Sequence, residues 1–137
     1  MGHINFVAVL LAAVAAYAVG ALWYGVLFGK AWRAALGIVP GQSPKVGPKV
    51  GMPAMLGGHF VLILLSALLL GHNFARLPGI PGHLYFMMSG GIAAFFVVPA
   101  LWINYLYQGQ SRKLALIDAG HWITAYLAMG TVFWALR

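Results

Sequence analysis

Four long apolar runs, residues 4–28, 52–70, 84–107 and 114–136, decide what this chain can fold into. A hydrocarbon core ~30 Å thick is crossed by about 20 helical residues rising 1.5 Å each, so every run is long enough to span one. Lipid offers the backbone no hydrogen-bond partner, and a run placed there must therefore be helical. Composition points the same way. Of 137 residues, 63% are hydrophobic and 7% charged, against about 25% charged in soluble domains. A soluble chain of this size has too little interior to hide that much apolar surface. The expected fold is all-α integral membrane: one transmembrane domain, residues 1–137, with four transmembrane helices and almost nothing outside the bilayer.

The breaks between runs are short. Residues 37–51 hold Pro40, Pro44 and Pro48 among glycines and form the longest loop; residues 71–82 form a second break, and residues 108–113 a third. Residues 1–28 do not read as a signal peptide, because no Lys or Arg precedes the apolar stretch and that stretch exceeds the usual ~7–15 residues. Lys30, Arg33, Lys45, Lys49, Arg112 and Lys113 fall in the first and third loops, against Arg76 and Arg137 on the opposite side. Lys and Arg in short loops stay cytoplasmic, which places both termini outside the cytoplasm in a cell inner (plasma) membrane.

Eight basic residues face one acid, Asp118. In a soluble domain that balance would suggest nucleic acid. Here the cations sit singly or in pairs between apolar runs, so anionic lipid headgroups are the expected counter-charge and nucleic acid is rejected. With no cysteine, disulfides, thiolate metal sites and thiol nucleophiles are absent together.

The two halves resemble each other weakly. Ala21-Leu22-Trp23, then Leu27-Phe28 and Gly29, recurs as Ala100-Leu101-Trp102, then Leu106-Tyr107 and Gly109. Gly57-Gly58-His59-Phe60-Val61 recurs as Ala119-Gly120-His121-Trp122-Ile123. Each half is then one helical hairpin, and the pair are parallel repeats about an axis along the membrane normal. Such a repeat gathers Trp23, Trp102, His59 and His121 into one layer, with Asn104 and Asp118 slightly nearer the cytoplasm. Helical spacing puts Asp118, His121, Trp122, Ala125 and Met129 on one face of the last helix, and Met52, Met55, His59, Ile63 and Ser66 on one face of the second. Ala8, Ala12, Ala16 and Gly20 recur every fourth residue, which lets another helix approach closely. Gly90, Gly91, Ala93 and Ala94 offer the third helix the same opportunity.

Six residues make the candidate intramembrane polar site: Asp118, His121, His59, Asn104, Trp23 and Trp102. Asp118 reads either as a protonatable group on a transport path or as an anchor paired with Lys30, Arg33 or His121. His59 and His121 read either as axial ligands of a haem held between helices or as neutral imidazoles bonded to backbone or Asn. Trp23, Tyr24, Trp32, Trp102, Tyr105 and Tyr107 form a cytoplasmic aromatic belt. No paired carboxylate, phosphate loop or activated nucleophile supports hydrolysis or phosphoryl transfer, so no catalytic residue is assigned. The outer residues His3, His72 and His83 match no metal-binding spacing.

Gly20-Ala21-Leu22-Trp23-Tyr24 followed by Phe28-Gly29-Lys30-Ala31-Trp32, and Leu116-Ile117-Asp118-Ala119-Gly120 followed by Met129-Gly130, resemble the first and last helices of a bacterial and fungal membrane family, domain of unknown function 1761. The resemblance implies a small four-helix membrane protein and carries over no activity. That family commonly has Asn where this chain has Asp118 and Tyr where it has His121, so no family-wide Asp and His pair is implied. The leading functional expectation is a non-enzymatic protein that works through helix packing, as a homo-oligomer or a subunit of a larger membrane complex. The alternatives are a small proton-linked transporter using Asp118 and His121, and a haem-binding electron carrier using His59 and His121.

Overall fold

The computed structural model describes residues 2–42 and 49–137; Lys45 and the middle of the longest loop lie outside them. Among the described residues every regular element is a helix. Helix α1, Phe6–Leu22, is capped by Asn5, whose side chain accepts from the Ala8 N–H at 3.0 Å. It continues through a π-helical turn, Trp23–Leu27, and stops at Phe28. Helix α2, Gly29–Ala35, is a short segment outside the four apolar runs, in the stretch expected as the first loop. Helix α3, Met52–Ala75, runs five residues past the expected break at Leu70. Gly71 stays helical because it sits in a tight packing contact: a Cβ there would lie 2.6 Å from Val9 Cγ2 and 3.3 Å from the Phe133 ring.

The third expected run is one rod of 26 residues, Gly82–Tyr107, formed by α4 (Gly82–Ile92), a second π-helical turn (Ala93–Val97) and α5 (Val98–Tyr107). Pro99 explains the interruption. Its missing N–H leaves the Phe95 carbonyl without an i−4 donor, and its ring presses on that carbonyl. Widening the ladder just upstream, where the Val98 N–H reaches Ala93 O, makes room without ending the helix. Helix α6, Arg112–Ala135, begins at Ser111, whose hydroxyl accepts from the Leu114 N–H at 3.2 Å.

Three segments are long and apolar enough to cross a membrane: Phe6–Leu27, Met52–Ala75 and Gly82–Tyr107. Helix α6 matches α3 in length at 24 residues but is less apolar, since it carries Asp118, His121 and Thr124. Its position accounts for this. It touches α1, α2, α3, α4 and α5, and Asp118 and His121 are buried on the faces that make those contacts, whereas Thr124 is exposed and bonds Gly120 O of its own helix. The small-residue ridge of α1 is buried in full, with Ala8, Ala12, Ala16 and Gly20 turned inward together with Val9 and Ala13. On the third rod only part of the expected small surface is used: Ala93 is buried and Gly90 packs on Leu127, whereas a Cβ at Gly91 would meet nothing.

Both ends of the described chain lie at one end of the molecule. Gly2 N–H donates to Ala75 O at 3.0 Å and Asn5 Nδ2 to Leu136 O at 3.3 Å. The opposite end gathers α2, the start of α3 and the turn between α5 and α6, with Lys30, Arg33, Lys49, Arg112 and Lys113.

Candidate functional site

Asp118 lies six residues into α6, about 9 Å along the axis, and is only 5% exposed. A buried carboxylate needs donors. It finds them in two tyrosines: Tyr24 donates to Oδ1 and Tyr105 to Oδ2, each at 2.6 Å. That distance is in the range of charge-assisted O–H···O⁻ bonds. The expected partners do not serve. Lys30 and Arg33 are exposed, and Arg33 Nε donates to Gly29 O, one turn back on its own helix, at 3.2 Å. One carboxylate thus ties the end of the α1 rod and the end of α5 to the central helix.

The π-helical turn at Trp23–Leu27 makes this aim possible. A wider turn rotates the residues that follow relative to an α-helical path, and both members of the Trp23-Tyr24 pair reach α6. Trp23 Nε1 donates to Ile117 O at 3.0 Å. Its ring lies over Gly120, where a Cβ would be 2.9 Å from Cζ2. Gly29 secures the exit from the turn. The Tyr24 carbonyl occupies the space that a side chain would need there, so a larger residue would push the chain away.

One turn after Asp118, His121 is 1% exposed, and neither Nδ1 nor Nε2 has a hydrogen-bond partner among the described residues. Its ring centroid lies 4.9 Å from those of Tyr24 and Trp122. Across from it stands Gly20, where a Cβ would be 3.2 Å from His121 Nε2 and 3.8 Å from His59 Cε1. The two histidines therefore approach the same point on α1 and share a level. His59 is half-buried against the Tyr17 ring at 5.2 Å.

The other sequence candidates fall outside this cluster. Trp102 is half-buried and Asn104 exposed on α5. Tyr105, read only as part of an aromatic belt, turns inward, as do Tyr24 and Trp23, while Tyr107 is 91% exposed. The matched motifs of the two halves also differ in backbone: Trp23 opens one π-helical turn, whereas Trp102 lies five residues beyond the end of the other. A haem does not fit between His59 and His121. The plane of a macrocycle would have to pass within ~2 Å of His121 Nε2, where Gly20 and the surrounding aromatic rings already exclude solvent. Among the described residues no three His, Cys, Asp or Glu side chains gather as a metal site.

The site thus combines a doubly bonded carboxylate, a buried imidazole with both nitrogens free and a second imidazole beside it. Together they can hold or pass a proton; the cluster contains no positioned nucleophile. No curated protein and no solved structure matches the chain. A family model described as "Protein of unknown function (DUF1761)" matches residues 7–134, which include the whole cluster, and the chain belongs to that family.

Proposed function

We propose that this is a small multi-spanning membrane protein in which α6 is the fourth crossing helix, and that it moves protons, or a solute coupled to protons, through a site centred on His121. Asp118 is the fixed part of that site and His121 the exchanging part. The observation that carries the reading is the orphaned imidazole. Each unpaired buried polar group costs about 1–3 kcal/mol, and a histidine kept only for packing would be replaced by an apolar side chain at a gain. The structural alternative requires His121 to be bonded to backbone or Asn, and no such bond is present among the described residues.

A second reading, a helix-packing subunit or homo-oligomer, draws on different residues. The α1 ridge is already spent inside the chain, but Cβ atoms at Gly25, Gly57 and Gly58 would meet nothing within 4 Å, leaving a small-residue surface on which a second helix could pack closely. Parallel hairpin repeats are compatible with either reading, supported by the common level of His59 and His121.

Purified protein in proteoliposomes, loaded with a pH-sensitive dye, tests the choice. His121→Phe removes both orphaned nitrogens while filling similar space. The proton reading expects a folded, more stable variant that has lost proton-dependent flux. Flux equal to that of the wild type, or no flux above empty vesicles in the wild type itself, overturns it; self-association measured on the same preparation then tests the packing reading.

A further inference from the structure

At the end of the molecule away from the polar cluster, the ends of α1, α3 and α6 and the start of α4 enclose a cavity of about 630 Å³. Its walls are apolar: Ala8, Phe74, Ile80, Tyr85 and Phe133. Its floor is the contact of Gly71 with Val9 and Phe133, about 6 Å below the end of α3 at Ala75. The mouth is polar and carries Arg137 and His3. On the far side of the Gly2–His3 segment a second cavity of about 370 Å³ carries His3, His72 and Arg76. The only acidic side chain, Asp118, is held at the opposite end of α6 by its two tyrosines.

We infer that the larger cavity is a binding site for a single-chain amphiphile with an anionic head, its tail among Phe74, Ile80 and Phe133 and its head on Arg137. Two properties support this class. The volume lies within the ~300–1,000 Å³ of small-molecule sites. The mouth carries Arg137 and His3 and no acidic side chain. Arg137 is also prepared for the role: its guanidinium lies over the Trp134 ring at 5.5 Å. A guanidinium held over an aromatic ring keeps N–H donors that an anion can use. The site is independent of the proton-linked reading.

The test uses the full chain in phosphatidylcholine nanodiscs, with radiolabelled decanoate as probe, decanol as its neutral counterpart and empty nanodiscs subtracted. Saturable decanoate binding is expected, and Arg137→Gln should weaken it about fivefold, the effect of one interfacial cation worth ~1 kcal/mol, without changing decanol binding. Ile80→Trp, a loop substitution that fills the cavity, should abolish both; circular dichroism confirms that each variant is folded. Decyl phosphate binding as well as decanoate would be a second success, because the shared feature is the anionic head. Binding no greater than to empty nanodiscs, or decanoate binding unaffected by either variant, overturns the assignment.

Discussion

Removing the two tyrosine hydroxyls that hold Asp118 should destabilise the protein more than additively, and the sign of a third substitution should then reverse. Tyr24→Phe and Tyr105→Phe each delete one short bond to a buried carboxylate. Bonds to charged groups are worth about 1.5–3 kcal/mol in soluble proteins, whereas interhelical bonds in membrane bundles average about 0.6 and reach about 1.7. Asp118 is both buried and near one end of its helix, so the upper membrane value applies, and each single variant should lose ~1–1.5 kcal/mol. The double variant leaves a bare buried charge, for which losses of about 3–5 kcal/mol are typical; it should exceed the sum of the singles by ~1 kcal/mol. Asp118→Leu should cost stability in the wild type, where it strands two hydroxyls, and restore stability in the double variant, where it removes an unpaired charge. Equilibrium unfolding by SDS titration in mixed micelles, followed by circular dichroism, measures all four corners. If Asp118→Leu has the same sign in both backgrounds, the tyrosine clamp is not what holds this carboxylate.

Further expectations follow from the close contacts and the ends. Gly130→Ala should cost ~1–3 kcal/mol, because a Cβ there would meet Ser89 Oγ and lie 2.9 Å from Tyr85 O, whereas Gly57→Ala should be neutral or stabilising by up to ~1 kcal/mol; unfolding titrations of the two variants compare them directly. Ser111→Ala should cost ~1 kcal/mol by removing the cap on α6, read in the same assay. A reporter active only in the cytoplasm should be silent when fused after Arg137 and active when inserted between Gln108 and Ser111. The reverse pattern would overturn the orientation argument.

What the sequence revealed follows from how local each signal is. The three apolar spans, the inward ridge of α1 and the shared face of Asp118, His121, Ala125 and Met129 were legible because each depends on residues in one helix. Helix ends were less so. Gly71 reads as a break yet is a packing contact, and Ser111 reads as part of a loop yet is the N-cap of α6. The partners of Asp118 were hidden for a physical reason. A Tyr near a helix end has an amphipathic side chain that suits the membrane interface as well as an internal bond, and its direction depends on the π-helical turn at Trp23–Leu27. In the sequence only Gly25 within the turn and Gly29 shortly after it set Tyr24 apart from the other aromatic residues near helix ends. Tyr105 left no such trace: it lies 13 residues from Asp118, across a turn whose geometry the sequence does not reveal.

The central place of α6 has a consequence for biogenesis. It is the last of these helices to leave the ribosome and the one whose residues least favour lipid, carrying the chain's one acidic side chain. The helices that precede it form a receptor: the Ala8, Ala12 and Ala16 groove, with Tyr24 and Tyr105 as waiting donors. On the proposed four-span arrangement, insertion of α6 is a docking event rather than a simple partition into lipid. A nascent chain halted before Arg112 exposes that groove and leaves two hydroxyls without their carboxylate partner. On that arrangement the helix least suited to lipid is also the last one made, when the helices it packs against already exist.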